Sequence, residues 1–213
     1  MTDLDIRPSF DYAPRKAYLA DRPIDFQAWL ELAQDLDTEL VRGVMKEKMA
    51  AQYPHEWIFA WLLSILRQFT NHRNLGSVLG SRTAVKITAN DGRLPDILFV
   101  RADNTDIIHK DAIYGVPDLV IEIISENDRP TDLIPLEADY CSLGVPEIVF
   151  IDPRKKRVRT LQKNATDYDE TFLTAGRLTF DAVPGFWIEV EWLFAEDKPD
   201  EFTITKQLIE ATI

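Results

Sequence analysis

Apolar positions recur with two different periods along this chain, and they predict a mixture of helices and strands. In IDFQAWLELAQD the apolar residues fall on one helical face, and Asp25 precedes them as a candidate cap. A longer helical pattern covers about residues 54–71, with Pro54 in its first turn. A third covers about residues 131–142 and is followed by Gly144 at the C′ position.

Short runs of alternating or wholly apolar residues predict the strands. ELVRGVMKEKM predicts a strand, a turn at Gly43 and a second strand, and SVLGSRTAVKIT, LPDILFVR and PDLVIEIIS predict further strands. VPEIVFID and KRVRTLQ predict a hairpin that turns at Asp152 and Pro153, while DYDETFLTA and GRLTFDAV predict another antiparallel pair. GFWIEVEWLFA ends in a short predicted helix. Together these elements predict an α/β fold with a central mixed sheet flanked by helices and with extra antiparallel strands.

The main domain is expected to cover residues 24–195. Residues 1–23, with three prolines, predict an N-terminal arm, and residues 196–213 predict a C-terminal tail.

The longest apolar run, WIFAWLLSILRQF, is too short to cross a bilayer, and MTDLDIRPSF lacks the regions of a signal peptide. The single Cys141 leaves no internal disulfide and favours a reducing, cytoplasmic location.

The formal net charge of −12 counts against a general nucleic-acid binder, because phosphate contacts depend on Lys and Arg. The segment DPRKKRVR, residues 152–159, carries five basic residues against this acidic background. A solvated turn between two strands is the ordinary interpretation of such a run, and a local contact to DNA is the alternative.

Two predicted strands carry carboxylates among aliphatic residues. A buried carboxylate is costly unless it is paired, hydrogen-bonded or bound to a metal. Asp118 follows Pro117 at a strand entrance, which favours a capping or turn role, and a local role also stays open for Asp96, which follows Pro95. Glu122 lies in the middle of its strand and has no such explanation. If the two strands are neighbours, Asp96 and Glu122 could meet and hold one Mg²⁺ ion.

The ordered set of a PD strand, the segment PDLVIEIIS and the helix end GVPE resembles the PD-(D/E)XK nuclease superfamily. Within it, the chain resembles the Uma-type branch of restriction-endonuclease-like proteins over about residues 39–152 and, more weakly, as far as the GFW near Trp187. This resemblance implies a restriction-endonuclease-like fold and an endonuclease that hydrolyses DNA with Mg²⁺ or Mn²⁺. It also implies a homodimer, since related nucleases often cut as dimers.

The resemblance assigns roles to individual positions of this chain. Asp96 and Glu122 would be catalytic metal ligands, with the carbonyl of Ile123 as a third ligand. Glu39 matches an acidic residue that would complete the acidic cluster. His55 matches a histidine at the start of the long helix, although a helix-end contact explains it equally well.

Arg129 and Asp132 match polar positions that lead into the helix after the catalytic strand, and they would form a second shell or contact substrate.

The lysine of the superfamily is absent from both of its expected positions. Ile124 lies two residues after Glu122, and Leu136, preceded by Pro135, occupies the position where this branch carries the lysine on the following helix. Such a lysine would orient the attacking water and offset charge on the phosphoryl oxygens. Lys86, on the strand before PD, is a candidate substitute, although a solvent-facing strand lysine is its ordinary interpretation. The alternative function is therefore a degenerate nuclease-fold protein that acts as a binding or assembly module.

Overall fold

The chain passes back and forth between two structural units. The computed structural model describes residues 7–8, 17–33, 36–48, 52–80, 82–126 and 128–211. The first unit consists of Met1–Ala50, Thr83–Leu94 and Ile108–Gly115, and the second of Ala51–Arg82, Pro95–Ile107 and Val116–Ile213.

The strands and helices of the described residues are numbered in chain order. The strands are β1 (Arg7–Pro8), β2 (Ala17–Leu19), β3 (Thr38–Val41), β4 (Val44–Glu47), β5 (Gly76–Gly80), β6 (Val85–Lys86), β7 (Gly92–Arg93), β8 (Ile97–Arg101), β9 (Leu119–Ile123), β10 (Glu147–Asp152), β11 (Arg157–Lys163), β12 (Tyr168–Leu173), β13 (Arg177–Thr179) and β14 (Trp187–Glu189). The α-helices are α1 (Phe26–Leu32), α2 (Tyr53–Arg73), α3 (Pro130–Leu143), α4 (Val190–Phe194) and α5 (Glu201–Glu210), and a 3-10 helix covers Ala102–Ile107.

The first unit is built on a six-stranded sheet in the order β1-β2-β4-β3-β7-β6, with antiparallel pairs throughout. The β3–β4 hairpin turns at Gly43, where φ is +74°, as the sequence predicts. Helix α1 begins after Asp25, whose side chain accepts the N–H of Ala28 at 2.8 Å. The helix buries Phe26 and Trp29 in the core of this unit. The predicted cap and the predicted apolar face are both confirmed.

The second unit carries the central mixed sheet, in the order β12-β11-β10-β9-β8-β5. Strands β9 and β10 are parallel, and the other neighbours in this sheet are antiparallel. A parallel pair needs a crossover between its strands, and α3 supplies it. Helix α2 contributes a row of buried apolar residues to the same hydrophobic cluster as β8, β9 and β10. The predicted fold class is confirmed.

The long helices begin and end close to where the sequence predicts. In α2, Pro54 lies in the first turn, where its missing N–H has no helical partner to lose. In α3, Gly144 ends the helix with a φ of +86°, a left-handed conformation that costs glycine little. Pro135 lies inside α3 and removes one backbone donor from its ladder. Among the described residues, no helix is long and apolar enough to cross a membrane.

The predicted pairing of DYDETFLTA with GRLTFDAV is wrong. Strand β12 pairs with β11 and is largely exposed as an edge strand, whereas β13 pairs with β14. The physical reason is burial: Leu178 on β13 and Ile188 on β14 are cross-strand partners, and both lie in the main hydrophobic cluster. Pairing with the exposed β12 would not bury Leu178.

Two further segments differ from a simple arm and tail. Strand β2, from the predicted arm, pairs with β4 in the first unit, while residues 1–6 and 9–16 lie outside the described residues. At the other end of the chain, α5 buries Ile204 and Leu208 in the hydrophobic cluster of the second unit.

The sheet of the first unit is also separate from the central one, although the sequence pattern predicts one mixed sheet.

One buried carboxylate makes the stability of the second unit depend on pH. Glu147 begins β10 with 1% of its surface exposed, and its Oε2 accepts the N–H of Ala182 at 2.8 Å. Burial raises the pKa of Glu147 from 4.5 to about 7, although the hydrogen bond from Ala182 opposes the rise. The folded state therefore favours the protonated carboxyl. Its stabilising contribution is complete below pH 4.5 and is lost as the pH rises through 7.

We expect Glu147→Gln to reduce this pH dependence, because the amide is neutral at every pH. The difference in the free energy of unfolding between pH 5 and pH 8 should shrink by up to about 3 kcal/mol relative to the wild type. Urea unfolding at each pH measures the difference. Glu196→Gln, which removes an exposed carboxylate, is the matched control and should leave the difference unchanged. An equal pH dependence in Glu147→Gln and the wild type would contradict the assignment.

Candidate active site

Asp96 and Glu122 face each other across two neighbouring strands of the second unit. Strands β8 and β9 are antiparallel, with Ile97 opposite Ile121. Continuing this register by one residue places Asp96 opposite Glu122. Both side chains are buried, with 4% and 7% of the residue surface exposed. The two strands are therefore neighbours, as the sequence interpretation requires, and the two acidic residues occupy facing register positions at the ends of their strands.

Asp96 is oriented by two groups from other elements of the same unit. Its Oδ2 accepts the backbone N–H of Ile123 at 2.8 Å and lies 3.0 Å from Nε2 of His55, in the first turn of α2. The other ring nitrogen of His55, Nδ1, lies 3.3 Å from Oε1 of Glu56. Both ring nitrogens can donate to these carboxylates only when the imidazole is protonated. His55 is therefore positioned to place a positive charge beside Asp96.

Glu122 is held from the opposite direction by α3. The hydroxyl of Tyr140, which is completely buried, donates to Oε1 of Glu122 at 2.6 Å. Sequence reasoning gave Tyr140 no role. A signal was present, because Tyr140 lies four residues after Leu136 and therefore on the same face of the helix. Leu136, the position where the resemblance expects lysine, is itself buried.

Ile123, whose carbonyl is the predicted third ligand, ends β9 between these groups. Its N–H already binds Asp96, so the side chain of one strand is tied to the backbone of the next. The role of its carbonyl stays a prediction.

Glu39 lies in the first unit and has partners of its own there. Its Oε2 accepts from Nη1 of Arg93 at 3.0 Å, and its Oε1 accepts the N–H of Leu94 at 3.2 Å. Burial alone would raise the pKa of Glu39, but the charges of Arg93 and Lys48 and the hydrogen bond from Leu94 hold it below 4.5. Glu39 is thus a buried, ionised carboxylate. Its membership of the acidic cluster stays a prediction.

Lys86, also in the first unit, lies over two aromatic rings. Its Nζ is 5.8 Å from the ring centroid of Phe26 and 5.5 Å from that of Tyr114. These are cation–π distances, so Lys86 is packed against aromatic faces. A role as substitute for the missing lysine stays a prediction.

The remaining acids and bases of the motif lie at element boundaries. Asp118 accepts the N–H of Arg101 at 2.8 Å and the side-chain amide of Asn104 at 3.0 Å, which confirms its predicted role at the strand entrance. Arg129 is the N-cap residue of α3, and Asp132 lies in the first turn of that helix. Their contact with substrate stays a prediction.

The donor set at Asp96 and Glu122 fits a magnesium ion better than a zinc ion. Over the ranges that the structure describes, no group of three or more His, Cys, Asp or Glu side chains is arranged to hold a metal. Structural zinc requires about four protein ligands, whereas magnesium commonly uses one or two carboxylates and keeps several waters. Two buried carboxylates on facing strands match the second pattern.

Comparison with known proteins points in the same direction as this geometry. The family model Uma2, described as a putative restriction endonuclease, matches residues 24–191. A solved protein from Anabaena variabilis ATCC 29413, described as a putative nuclease belonging to DUF820, is similar with a TM-score of 0.68 and 16% sequence identity, covering 81% of this chain and 98% of that one. At that identity the likeness shows the fold alone. No curated protein matches the chain.

We expect Tyr140→Phe to destabilise the second unit, because it removes the hydroxyl that donates to the buried Glu122. Hydrogen bonds to charged groups contribute about 1.5–3 kcal/mol, so the free energy of unfolding should fall by roughly that amount. Urea unfolding followed by tryptophan fluorescence measures the change. Tyr53→Phe is the matched control, since Tyr53 is 73% exposed. Equal stability of the two variants would contradict the importance of this hydrogen bond.

Proposed function

This chain belongs to the Uma2 family, whose model is described as a putative restriction endonuclease, and on that premise we propose that it hydrolyses phosphodiester bonds of DNA with the help of Mg²⁺ or Mn²⁺. The proposed ligands are Asp96 and Glu122, with the carbonyl of Ile123 as a third. The observation that carries the proposal is the burial of Asp96 and Glu122 opposite each other on β8 and β9.

The electrostatics of this pair support a cation. Two carboxylates that share one buried site repel each other, so one of them resists ionisation unless positive charge is nearby. His55 can supply one positive charge beside Asp96, and the hydroxyl of Tyr140 donates a hydrogen bond to Glu122. A divalent ion would offset both negative charges. When bound, such an ion lowers the pKa of its water and polarises a phosphoryl oxygen.

The side chains of this protein would hold that arrangement in place. The N–H of Ile123 and the ring of His55 fix the carboxylate of Asp96, while Tyr140 fixes that of Glu122. Orientation of this kind reduces the reorganisation that a reaction would otherwise require. The polar partners around the two acids therefore act as positioning groups.

A second candidate function follows from the positions that lack a lysine. Leu136 is buried on the face of α3 that carries Tyr140, and Ile124 is half-buried after β9. Both side chains are aliphatic, so neither position supplies a positive charge. These two residues favour a nuclease-fold protein that no longer cleaves and serves as a binding or assembly module. The two candidates differ in one measurable property, which is metal-dependent cleavage.

We expect the wild type to cleave plasmid or single-stranded DNA in Mg²⁺ or Mn²⁺. Asp96→Asn and Glu122→Gln should each lower the rate by ~100-fold or more, since each removes a negatively charged ligand of the metal ion that would offset charge on the phosphoryl oxygens. Glu126→Gln, which changes an exposed carboxylate just beyond β9, is the matched control and should cleave like the wild type.

Calorimetric titration of Mn²⁺ gives a second readout that does not depend on cleavage. The wild type should bind the ion, and both site variants should bind it more weakly. Cleavage that survives both substitutions would overturn the assignment of the site. If the wild type neither cleaves DNA nor binds metal, the nuclease proposal is wrong and the degenerate module takes its place.

A homodimer is part of the same proposal, as the resemblance to nucleases that cut as dimers implies. We expect light scattering to give twice the 24.5 kDa mass of the chain. A monomeric mass at micromolar concentration would contradict this part of the proposal alone.

A further inference from the structure

A pocket of about 210 Å³ lies on the face of the central sheet that carries Glu122. Register shows the shared face: Glu122 on β9 pairs with Phe150 on β10, and Phe150 pairs with Arg159 on β11. Phe150 and Arg159 both line the pocket, and so does Ile124. Ile124 is the position where the superfamily would carry its lysine. The pocket therefore begins about two residues, or roughly 7 Å along the strand, beyond the candidate active site.

The basic run of the sequence supplies the charge of this pocket. Arg154, Lys155, Arg157 and Arg159 line it, against the three carboxylates of Asp128, Glu137 and Asp152. The lining is therefore basic overall, in a chain with a formal net charge of −12. The run forms the turn between β10 and β11 with exposed basic side chains, as its ordinary interpretation predicts, and four of its five basic residues also line one cavity.

The carboxylates that line the pocket already form hydrogen bonds or ion pairs within the protein. Asp152 Oδ1 accepts the N–H groups of Arg154 and Lys155, at 3.1 and 3.2 Å, and so builds the turn between β10 and β11. Glu137 on α3 and Glu170 on β12 both form ion pairs with Arg159. These contacts fix two of the acids and use the charge of Arg159.

The remaining cations face the cavity from the hairpin. The guanidinium of Arg157 lies 4.6 Å from the ring centroid of Phe172, and stacking of this kind leaves the N–H edge of the guanidinium available to an anion. The side chain of Lys155 is 62% exposed and lies 3.4 Å from Asp152, which it shares with Arg154. Asp152 thus serves two cations of the hairpin, and Arg157 adds a third positive charge beside them.

The size of the pocket and the adjacent helix narrow the choice of ligand. Pockets for whole small molecules usually occupy about 300–1,000 Å³, so this cavity suits a compact group. Pro130, in the first turn of α3, lines one side of it, and the N-cap Arg129 makes no side-chain capping bond. The first turn of a helix favours negative charge. Guanidinium, ammonium and helix terminus together match a phosphate group.

We propose that this pocket binds a phosphate group of a DNA strand and holds that strand beside Asp96 and Glu122. The phosphate chemistry comes from the pocket itself, and only the identification of the polymer as DNA rests on the proposed function. Lys155 and Arg157 make the principal contacts. The positive charge that Ile124 and Leu136 lack is supplied to the substrate from the β10–β11 hairpin.

The test is the affinity for fluorescein-labelled oligonucleotides, measured by anisotropy in EDTA so that cleavage does not contribute. We expect the double variant Lys155→Gln/Arg157→Gln to bind about 10-fold or more weakly, and to lower the slope of log K against log salt by about 1 to 2. Lys156→Gln is the matched control, because Lys156 is the basic residue of the run that does not line the pocket. It should change neither quantity.

Equal losses in the control and in the double variant would overturn the proposal, since they would show only a diffuse electrostatic effect. Thermal unfolding of each variant checks that it is folded. The single variant Lys155→Gln changes only an exposed side chain, so it provides a second test that does not depend on the double variant. The single variant should weaken binding by about 3-fold or more relative to Lys156→Gln, and the same affinity in both would count against the pocket.

Inorganic phosphate distinguishes a strand from a free anion. We expect phosphate to displace the oligonucleotide from the wild type and to do so poorly from the double variant. Phosphate binding that depends on Lys155 and Arg157, together with oligonucleotide affinity that does not, would assign the pocket to a free anion and overturn the strand proposal.

The same assay separates this inference from the cleavage proposal. Asp96→Asn and Glu122→Gln should not weaken oligonucleotide binding in EDTA, because each removes a negative charge beside the proposed strand. Binding that depends on the pocket in a protein that never cleaves would refute the nuclease and support the pocket. Cleavage by a protein whose oligonucleotide affinity does not depend on the pocket would support the nuclease and refute the pocket.

Discussion

The structure of the second unit depends on one electrostatic constraint, which is the burial of two carboxylates opposite each other on β8 and β9. Buried like charges are costly, so the elements around them must supply donors or positive charge. The β9 backbone supplies the N–H of Ile123, α2 supplies His55, and α3 supplies Tyr140. The two longest helices and the central strands thus converge on the same pair. An apolar pair at these positions would need none of these contacts.

The positive charge of this region comes from a different element than the family resemblance expects. Helix α3 presents Leu136 and Tyr140 toward the site, whereas the hairpin after β10 presents Arg154, Lys155 and Arg157 to a neighbouring cavity. Charge carried by a hairpin can attract a phosphate without lying beside the metal ligands. The first unit resolves its own buried carboxylate differently, because Glu39 is neutralised by a direct ion pair with Arg93.

Part of the site could be predicted from the residues alone. Asp96 and Glu122 break otherwise apolar strands, and an acid in such a position requires a partner, so each of them is visible in one local segment. Asp118 is equally visible, and the proline before it correctly predicts its place at the strand entrance. The signal for Tyr140 is weaker, because its spacing from Leu136 places it on the same face of the helix but a tyrosine there also fits an ordinary core. Its hydroxyl acquires a role only when β9 packs under α3.

The sequence alone is enough to predict the long helices, most of the strands and the family, because helix and strand periods, caps and turn residues act over a few neighbouring positions. It determined Asp25 as a cap, Gly144 as a helix end and the strands that carry both acids. The pairing of β13 with β14, the place of α5 in the core and the pocket lined by the basic run become visible only in the folded chain. Those outcomes depend on contacts between segments far apart in the chain, where the free energy of burying one surface against another chooses among partners that the local pattern leaves equivalent.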